Sequence, residues 1–344
     1  MRNIFKGKTI LVTGGTGSIG SEIVRQLLRM KPKSIRVFAR HEDRHHQLMQ
    51  ELAKHADTVR FVVGDIRDKE RLMLAMEGVD IVFHAAALKH VPLCEYNPFE
   101  AVKTNIVGTQ NVIEAARAEG VSHVIGISTD KATEPEGVLG VSKLMAEKLF
   151  LSTYFYKGNT KTKFTCVRFG NVLGSRGSIL SLIKRQIAQN QKVTVTDPKM
   201  TRFLMTIPQA VSLLLDTAAK GKGQEIFVLK MPSVRLGDLI EEAIGYFAPL
   251  YGKKASEVRT AIVGKRDGEK LHEKLLAEHE RGLALETKDL YILTPHRRVS
   301  ALYRKIYKAN PLRAGDKSFS SEYAPKLSRK ALRALVSRAA KSYL

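Results

Sequence analysis

At 344 residues, 44% of them hydrophobic, the chain is long and apolar enough to bury a full core, which excludes a disordered or low-complexity protein. Its 57 Lys and Arg against 34 Asp and Glu leave a net charge of +23 and favour anionic partners. The basic residues are spread along the chain with no basic tail or aromatic-rich basic motif, so nucleic acid is not expected as a main partner. Cys94 and Cys166 are too few for a disulfide framework in a chain of this size and point to a reducing compartment. The opening MRNIFKGKTILVTGG has only about four apolar residues in a row, short of the roughly 7 to 15 of a signal-peptide core, and no run approaches the roughly 18 of a membrane span. A cytoplasmic protein without a membrane span is expected.

Short β-branched runs then alternate with helix-like segments: 9–14, 34–40, 59–66, 79–87, 121–129 and 164–172. Apolar runs on this spacing predict buried parallel strands joined by crossover helices, hence a doubly wound α/β sheet of the Rossmann type over residues 1–172. After Asn171 the rhythm loosens, with helices expected near 178–190, 207–219 and 235–247 and a strand at 225–230. Residues 203–230 are expected to return to the sheet. The remainder, 173–202 and 231–344, is expected to form a smaller substrate-binding lobe over the carboxyl ends of the strands, where open sheets bind ligands.

TGGTGSIG (13–20) follows the first predicted strand and opens a helix, with Gly14, Gly17 and Gly20 three apart. Glycines there permit a tight turn and close backbone approach, so a pyrophosphate can sit on the helix N-terminus, against the backbone of Thr16, Gly17, Ser18, Ile19 and Gly20. Where an NAD enzyme presents a carboxylate to the ribose 2′-hydroxyl, this chain presents Ala39 and Arg40, then His41 and Arg44. A guanidinium holds a 2′-phosphate that a carboxylate would repel, so NADP is the expected cofactor. Asp65 and Ile66, Ala85, Ala86, Ala87 and Lys89, and Ser128 to Lys131 fall at the ends of the next three strands and are expected to line the same site. His41, His45, His46 and His55 have no cysteine or carboxylate partners and read as a solvated helix face; no metal site is expected.

TGGTGSIG, AAALKHVPLCEYNPFEAVKTN (85–105), STDKA (128–132), RFGNVLGSRGS (168–178), MTRF (200–203) and GKRDGEKLHEKLL (264–276), in this order, resemble the soluble UDP-N-acetylglucosamine 4,6-dehydratases of capsule and flagellin-sugar biosynthesis, in the extended short-chain dehydrogenase/reductase superfamily. The resemblance implies an internal redox cycle in which hydride leaves sugar C4, the C5 proton and C6 hydroxyl are eliminated, and hydride returns to C6. It implies Asp130 as the acid for the departing C6 oxygen, Lys131 as the C5 base, Thr129 as the holder of the C4 hydroxyl and Lys143 on the nicotinamide ribose. It adds Asn105 and Ser128 to the cofactor site. It places Lys89, Leu139, Asn171, Ser178, Thr201, Arg202, Arg266 and Glu269 around the UDP-sugar, and implies a dimer-based homo-oligomer, as large as a hexamer in some relatives.

Two positions depart from the pattern. Leu139 stands four residues before Lys143, on one helical face with it, where many such enzymes carry a tyrosine that exchanges a proton with the substrate. Leucine cannot do so, which leaves Lys131, Thr129 or water for that proton. Asp267 stands where relatives often have proline before GEK. A UDP-sugar 4-epimerase and a catalytically silent nucleotide-sugar-binding protein remain alternatives.

Overall fold

The computed structural model describes residues 3–153 and 162–341. In chain order, the first half comprises β1 (Thr9–Thr13), α1 (Ser18–Leu28), β2 (Ser34–Ala39), α2 (Glu42–Glu51), β3 (Val59–Val63), α3 (Lys69–Met76), β4 (Ile81–His84), α4 (Val91–Tyr96), α5 (Pro98–Ala101), α6 (Gly108–Ala118), β5 (His123–Thr129), α7 (Val138–Ser152) and β6 (Lys163–Phe169). The second half adds β7 (Asn171–Leu173), α8 (Ile179–Ala188), β8 (Val193–Val195), β9 (Thr201–Thr206), α9 (Ile207–Lys220), β10 (Ile226–Leu229), β11 (Ser233–Arg235), α10 (Leu236–Leu250), β12 (Thr260–Ile262), β13 (Ala284–Glu286), β14 (Leu290–Leu293), α11 (Arg297–Tyr307), β15 (Asn310–Pro311) and α12 (Arg329–Ala340).

The large sheet runs β15-β13-β14-β10-β6-β5-β4-β1-β2-β3. From β3 to β10 every pairing is parallel. Each residue of β1 and β4 is buried, as strands covered by helices on both faces require. The strand order reverses between β1 and β4, and the crevice beyond their carboxyl ends is where such a sheet takes a ligand. Helix starts follow local chemistry. The Asp68 carboxylate accepts from the Arg71 N–H at 2.9 Å to open α3, and Thr206 and Gln209 form a reciprocal capping box at α9.

A second apolar cluster, including Leu173, Ile183, Met200, Phe247 and Leu335, gathers α8, α10 and α12 beside a three-stranded sheet, β11-β9-β7, and a pair, β12-β8. Residues 284–311, expected in the lobe, instead add three antiparallel strands to the edge of the large sheet. The expected strand 164–172 is two strands, broken at Gly170. A Cβ there would lie 2.5 Å from the Phe203 Cβ and 2.9 Å from the Asp130 Oδ2, so the backbone passes where only glycine fits and turns into the smaller sheet. His45, expected on a solvated face, is buried; its Nε2 is 2.8 Å from the Ala39 carbonyl, and its ring meets Phe61 edge-on. The small turn between β2 and α2 is closed by this imidazole.

Candidate active site

At the switch point the backbone is shaped for a phosphate. Gly14 has φ +64°, and a Cβ on it would lie 2.7 Å from the Ala86 amide; a Cβ on Gly20 would collide with the Gly14 carbonyl. Unlike α3 and α9, α1 begins without a side-chain cap: Gly17 supplies no acceptor for the first N–H groups, which leaves their positive end to an anion. Thr16 is buried under this turn, and Ile19 packs on the main core. Arg176, from the loop before α8, donates its guanidinium to the Thr16 carbonyl and its backbone N–H to the Ser18 Oγ at 3.0 Å. Lys89 donates to the Arg176 carbonyl at 2.6 Å.

The end of β2 is cationic. Arg40 and Arg44 are exposed, and burial together with the positive fields of Arg44, Arg40 and Arg176 holds the His41 imidazole below its usual pKa. Asp65 is engaged by Arg67 at 2.7 Å and stands 3.7 Å from Arg40. Ile66 is buried, and Asn111 donates to its carbonyl at 3.1 Å. Ala85 and Ala87 are half-buried beside Ala86 after β4. Asn105 lies in a π-helical turn, Val102–Val107, and is spent on protein: its Oδ1 accepts from the Leu88 N–H at 2.8 Å, and its Nδ2 donates to the Ser142 Oγ at 2.9 Å. It therefore fixes the loop after β4 against α7.

After β5 the chain makes a short 3-10 turn, Asp130–Ala132. Asp130 is fully buried, and its Oδ1 accepts from the Thr129 hydroxyl at 3.0 Å and from the Lys131 ammonium at 3.1 Å. Lys131 also lies 3.5 Å from Glu273, which is 2% exposed. Burial raises the Asp130 pKa, Lys131 opposes the rise and Glu273 adds to it. Burial acts to lower the Lys131 pKa, yet the two carboxylates prevail and raise it, so the amine is an ammonium at rest. Burial acts to raise the Glu273 pKa, but the Lys131, Arg202 and Lys270 cations hold it below the ordinary value. Ser128 is buried with no partner for its Oγ among the described residues. Lys143 is buried on α7, where burial lowers its pKa, and donates to the Ile127 carbonyl at 2.6 Å.

Leu139, one turn earlier, is 4% exposed and packs with Cys94 and Ala101. It lines, with Lys131, Glu136, Gly268, Lys270 and Glu273, a small pocket. The residues expected around a substrate are only partly gathered. The Asn171 Oδ1 is buried without a partner among the described residues, and Ser178 stands at the N-cap of α8. Thr201 is spent on His272 at 2.8 Å and Ser321 at 2.7 Å, and Arg202 donates to the Thr201 carbonyl at 2.8 Å. Arg266 is half-exposed and 4.0 Å from Glu269, its own neighbour on the loop. The glycine-lined turn, the uncapped helix start and the unpartnered Ser128 hydroxyl fit a dinucleotide.

Sequence reasoning passed over Arg176 and Glu273, although both lie in stretches it singled out. It also passed over the fully buried Arg168, which holds Glu147 at 2.6 Å and Glu280 at 2.8 Å. That pairing joins residues 112 positions apart and leaves no local trace.

Residues 10–295 match the family described as polysaccharide biosynthesis protein. An uncharacterized membrane protein of Methanocaldococcus jannaschii is 56% identical over 86% of this chain and 88% of its own; no helix among the described residues here is long and apolar enough to cross a membrane. An inverting UDP-N-acetylglucosamine 4,6-dehydratase of Campylobacter jejuni is 41% identical over 85% of this chain and 84% of its own. A UDP-glucose 4-epimerase of Rickettsia bellii is 39% identical over 84% and 83%. The X-ray structure of Pen from Bacillus thuringiensis superposes with a TM-score of 0.89 at 42% identity, covering 97% of this chain and 98% of that one. With its Rossmann-type sheet and these relatives, the chain belongs to the polysaccharide biosynthesis protein family, among the nucleotide-sugar dehydratases and epimerases of the extended short-chain dehydrogenase/reductase fold.

Proposed function

We propose that the protein is an NADP-dependent 4,6-dehydratase of UDP-N-acetylglucosamine, forming a UDP-2-acetamido-2,6-dideoxy-hex-4-ulose with inversion at C5, for the building of surface polysaccharide or glycan. The observation that carries this reading is the ion pair of the buried Asp130 with the partly buried Lys131, directly after Thr129 at the carboxyl end of β5. When bound, NADP supplies a reversible hydride acceptor. The uncapped start of α1 holds its pyrophosphate, Arg40 and Arg44 its 2′-phosphate, and Lys143 its nicotinamide ribose.

Thr129 holds the C4 hydroxyl and passes its hydrogen bond on to Asp130. Asp130, whose pKa is raised by burial, takes up the C4 hydroxyl proton and gives it to the C6 oxygen as water leaves. Lys131 takes the C5 proton once its own proton has gone. Leu139 excludes water from the sugar. Arg202 and Arg266 meet the diphosphate, with Lys89, Asn171, Ser178, Thr201 and Glu269 around it. The enzyme works in the cytoplasm as a homo-oligomer.

A second reading, a UDP-sugar 4-epimerase, is favoured by the Rickettsia bellii relative. Leu139 speaks against it, since no phenol is present to exchange the C4 proton on both faces of the cycle. Incubation with UDP-N-acetylglucosamine and NMR of the product distinguishes them: loss of water and a C6 methyl supports the dehydratase, inversion at C4 the epimerase, and unchanged sugar defeats both.

A further inference from the structure

Lys131 presents a difficulty for a C5 base. Its amine sits between two buried carboxylates, 3.1 Å from the Asp130 Oδ1 and 3.5 Å from the Glu273 Oε1, and both stabilise the ammonium, which cannot take a proton. Glu273 has a feature that ion pairing alone does not explain. Its Oε2 is buried and has no hydrogen-bond partner among the described residues, and the side chain lines the same cavity as Lys131 and Leu139. An unsatisfied buried carboxylate oxygen costs stability unless it serves a purpose.

We propose that Glu273 is a positioning residue of the proton machinery, taking the Lys131 proton so that the neutral amine can act on C5. The inference rests on the dehydratase reading above. The protons balance within the site. The C4 hydroxyl proton passes by way of Thr129 to the Asp130 carboxylate. The Lys131 N–H bond breaks as an O–H bond forms on Glu273. The amine then takes the C5 proton, and Asp130 gives its proton to the C6 oxygen, which leaves as water. Once C6 is reduced, solvent water gives C5 a proton on the face opposite Lys131, as inversion requires, and Glu273 gives its own proton to the hydroxide left behind, so that Asp130, Lys131 and Glu273 end as they began. No tyrosine is needed, which accounts for Leu139 being tolerated at that position.

The groups facing Glu273 are Asp130 and Lys131 from the turn after β5, Arg202 from β9, and Lys270 from its own segment, with Glu136 lining the same pocket. The three cations Lys131, Arg202 and Lys270 keep it ionised at rest.

The test compares the full-length unmodified protein with Glu273→Gln and Glu273→Asp, loaded with NADP and given UDP-N-acetylglucosamine in deuterium oxide. Deuterium uptake at C5 and product formation are followed from pH 6 to 10. Glu273→Gln keeps the shape and the contact to Lys131 but cannot accept its proton. The expected result is a kcat about 100-fold lower near neutrality with KM within about twofold, the loss shrinking as pH rises and solvent takes over the Lys131 proton. Glu273→Asp should recover at least tenfold of the loss. A Glu273→Gln rate within threefold of the unmodified protein at neutral pH overturns the inference, and so does a loss that is uniform across pH and shared by Glu273→Asp. If the unmodified protein itself neither exchanges C5 nor releases water, it is the dehydratase reading that fails.

Discussion

Arg40 stands 3.7 Å from Asp65, across the carboxyl ends of the adjacent strands β2 and β3, while Asp65 is held more closely by Arg67 at 2.7 Å. The Arg40 side chain stays 45% exposed, so its guanidinium is anchored loosely and keeps donors for an incoming anion. NADP+ should therefore bind more tightly than NAD+, and Arg40→Ala should cost about 1.5 to 3 kcal/mol of NADP+ affinity with little change for NAD+, as for a hydrogen bond to a charged group. Titration calorimetry with both cofactors checks this. Equal affinities in the unmodified protein, or an effect of Arg40→Ala confined to NAD+, would count against it.

How much of this was legible in the sequence depended on range. The parallel strands and the glycine turn declare themselves through period and spacing, because burial on both faces forces apolar runs and a tight turn forces glycine at Gly14. Residues 284–293 escaped because β13 and β14 are three and four residues long, too short for a period to register. Glu273 escaped for a different reason. Within GKRDGEKLHEKLL seven of thirteen residues are charged, and nothing local distinguishes the one carboxylate that folds back to Lys131 from the others. The helix-like pattern of His41 to His55 concealed His45, whose burial is set by the bend after β2.

The Arg168 guanidinium is fully buried between Glu147 and Glu280 and also donates to the Leu275 carbonyl at 2.9 Å. Removing it leaves two buried carboxylates facing each other with no cation. Arg168→Met should lower stability by about 3 to 5 kcal/mol, while adding Glu147→Gln and Glu280→Gln should restore part of it, because a buried pair costs most when half of it remains. Denaturant unfolding of the three proteins measures this; a single variant within about 1 kcal/mol of the unmodified protein would show that the triad does not stabilise the fold.

Acid should weaken the fold through His84. Its imidazole is buried at the end of β4, bonded to the Thr13 hydroxyl at 2.8 Å and the Thr109 hydroxyl at 3.1 Å, and burial, aided by Lys143, lowers its pKa from 6.5 to about 3. Between those values the unfolded chain binds a proton that the folded one refuses. The stability present above pH 6.5 is thus lost as pH falls towards 3, with a slope of up to about 1.4 kcal/mol per pH unit. His84→Asn should flatten the slope between pH 6 and 4.5 without abolishing it, since His123, lowered to about 4 by burial and then Lys163, has the same sign. Identical slopes in denaturant melts of the two proteins would remove His84 from the account.

Leu139 decides whether the chemistry has been rerouted or lost. Its side chain is held by Cys94 and Ala101 on one side and borders the cavity with Lys131 and Glu273 on the other, where it can exclude water but exchange no proton. Leu139→Met should keep most of the dehydratase activity, since a swap of such similar volume usually costs under about 1.5 kcal/mol. Leu139→Tyr is the sharper test. In an enzyme whose protons already pass through Thr129, Asp130, Lys131 and Glu273, a phenol adds nothing the cycle lacks and must find room in a small pocket, so turnover should stay level or fall. In a protein that has merely lost its tyrosine, the same change should raise a very low activity tenfold or more, about 1.4 kcal/mol of barrier. Turnover of UDP-N-acetylglucosamine by the two forms, measured side by side, decides between them: an inactive unmodified protein rescued by tyrosine defeats the rerouted cycle.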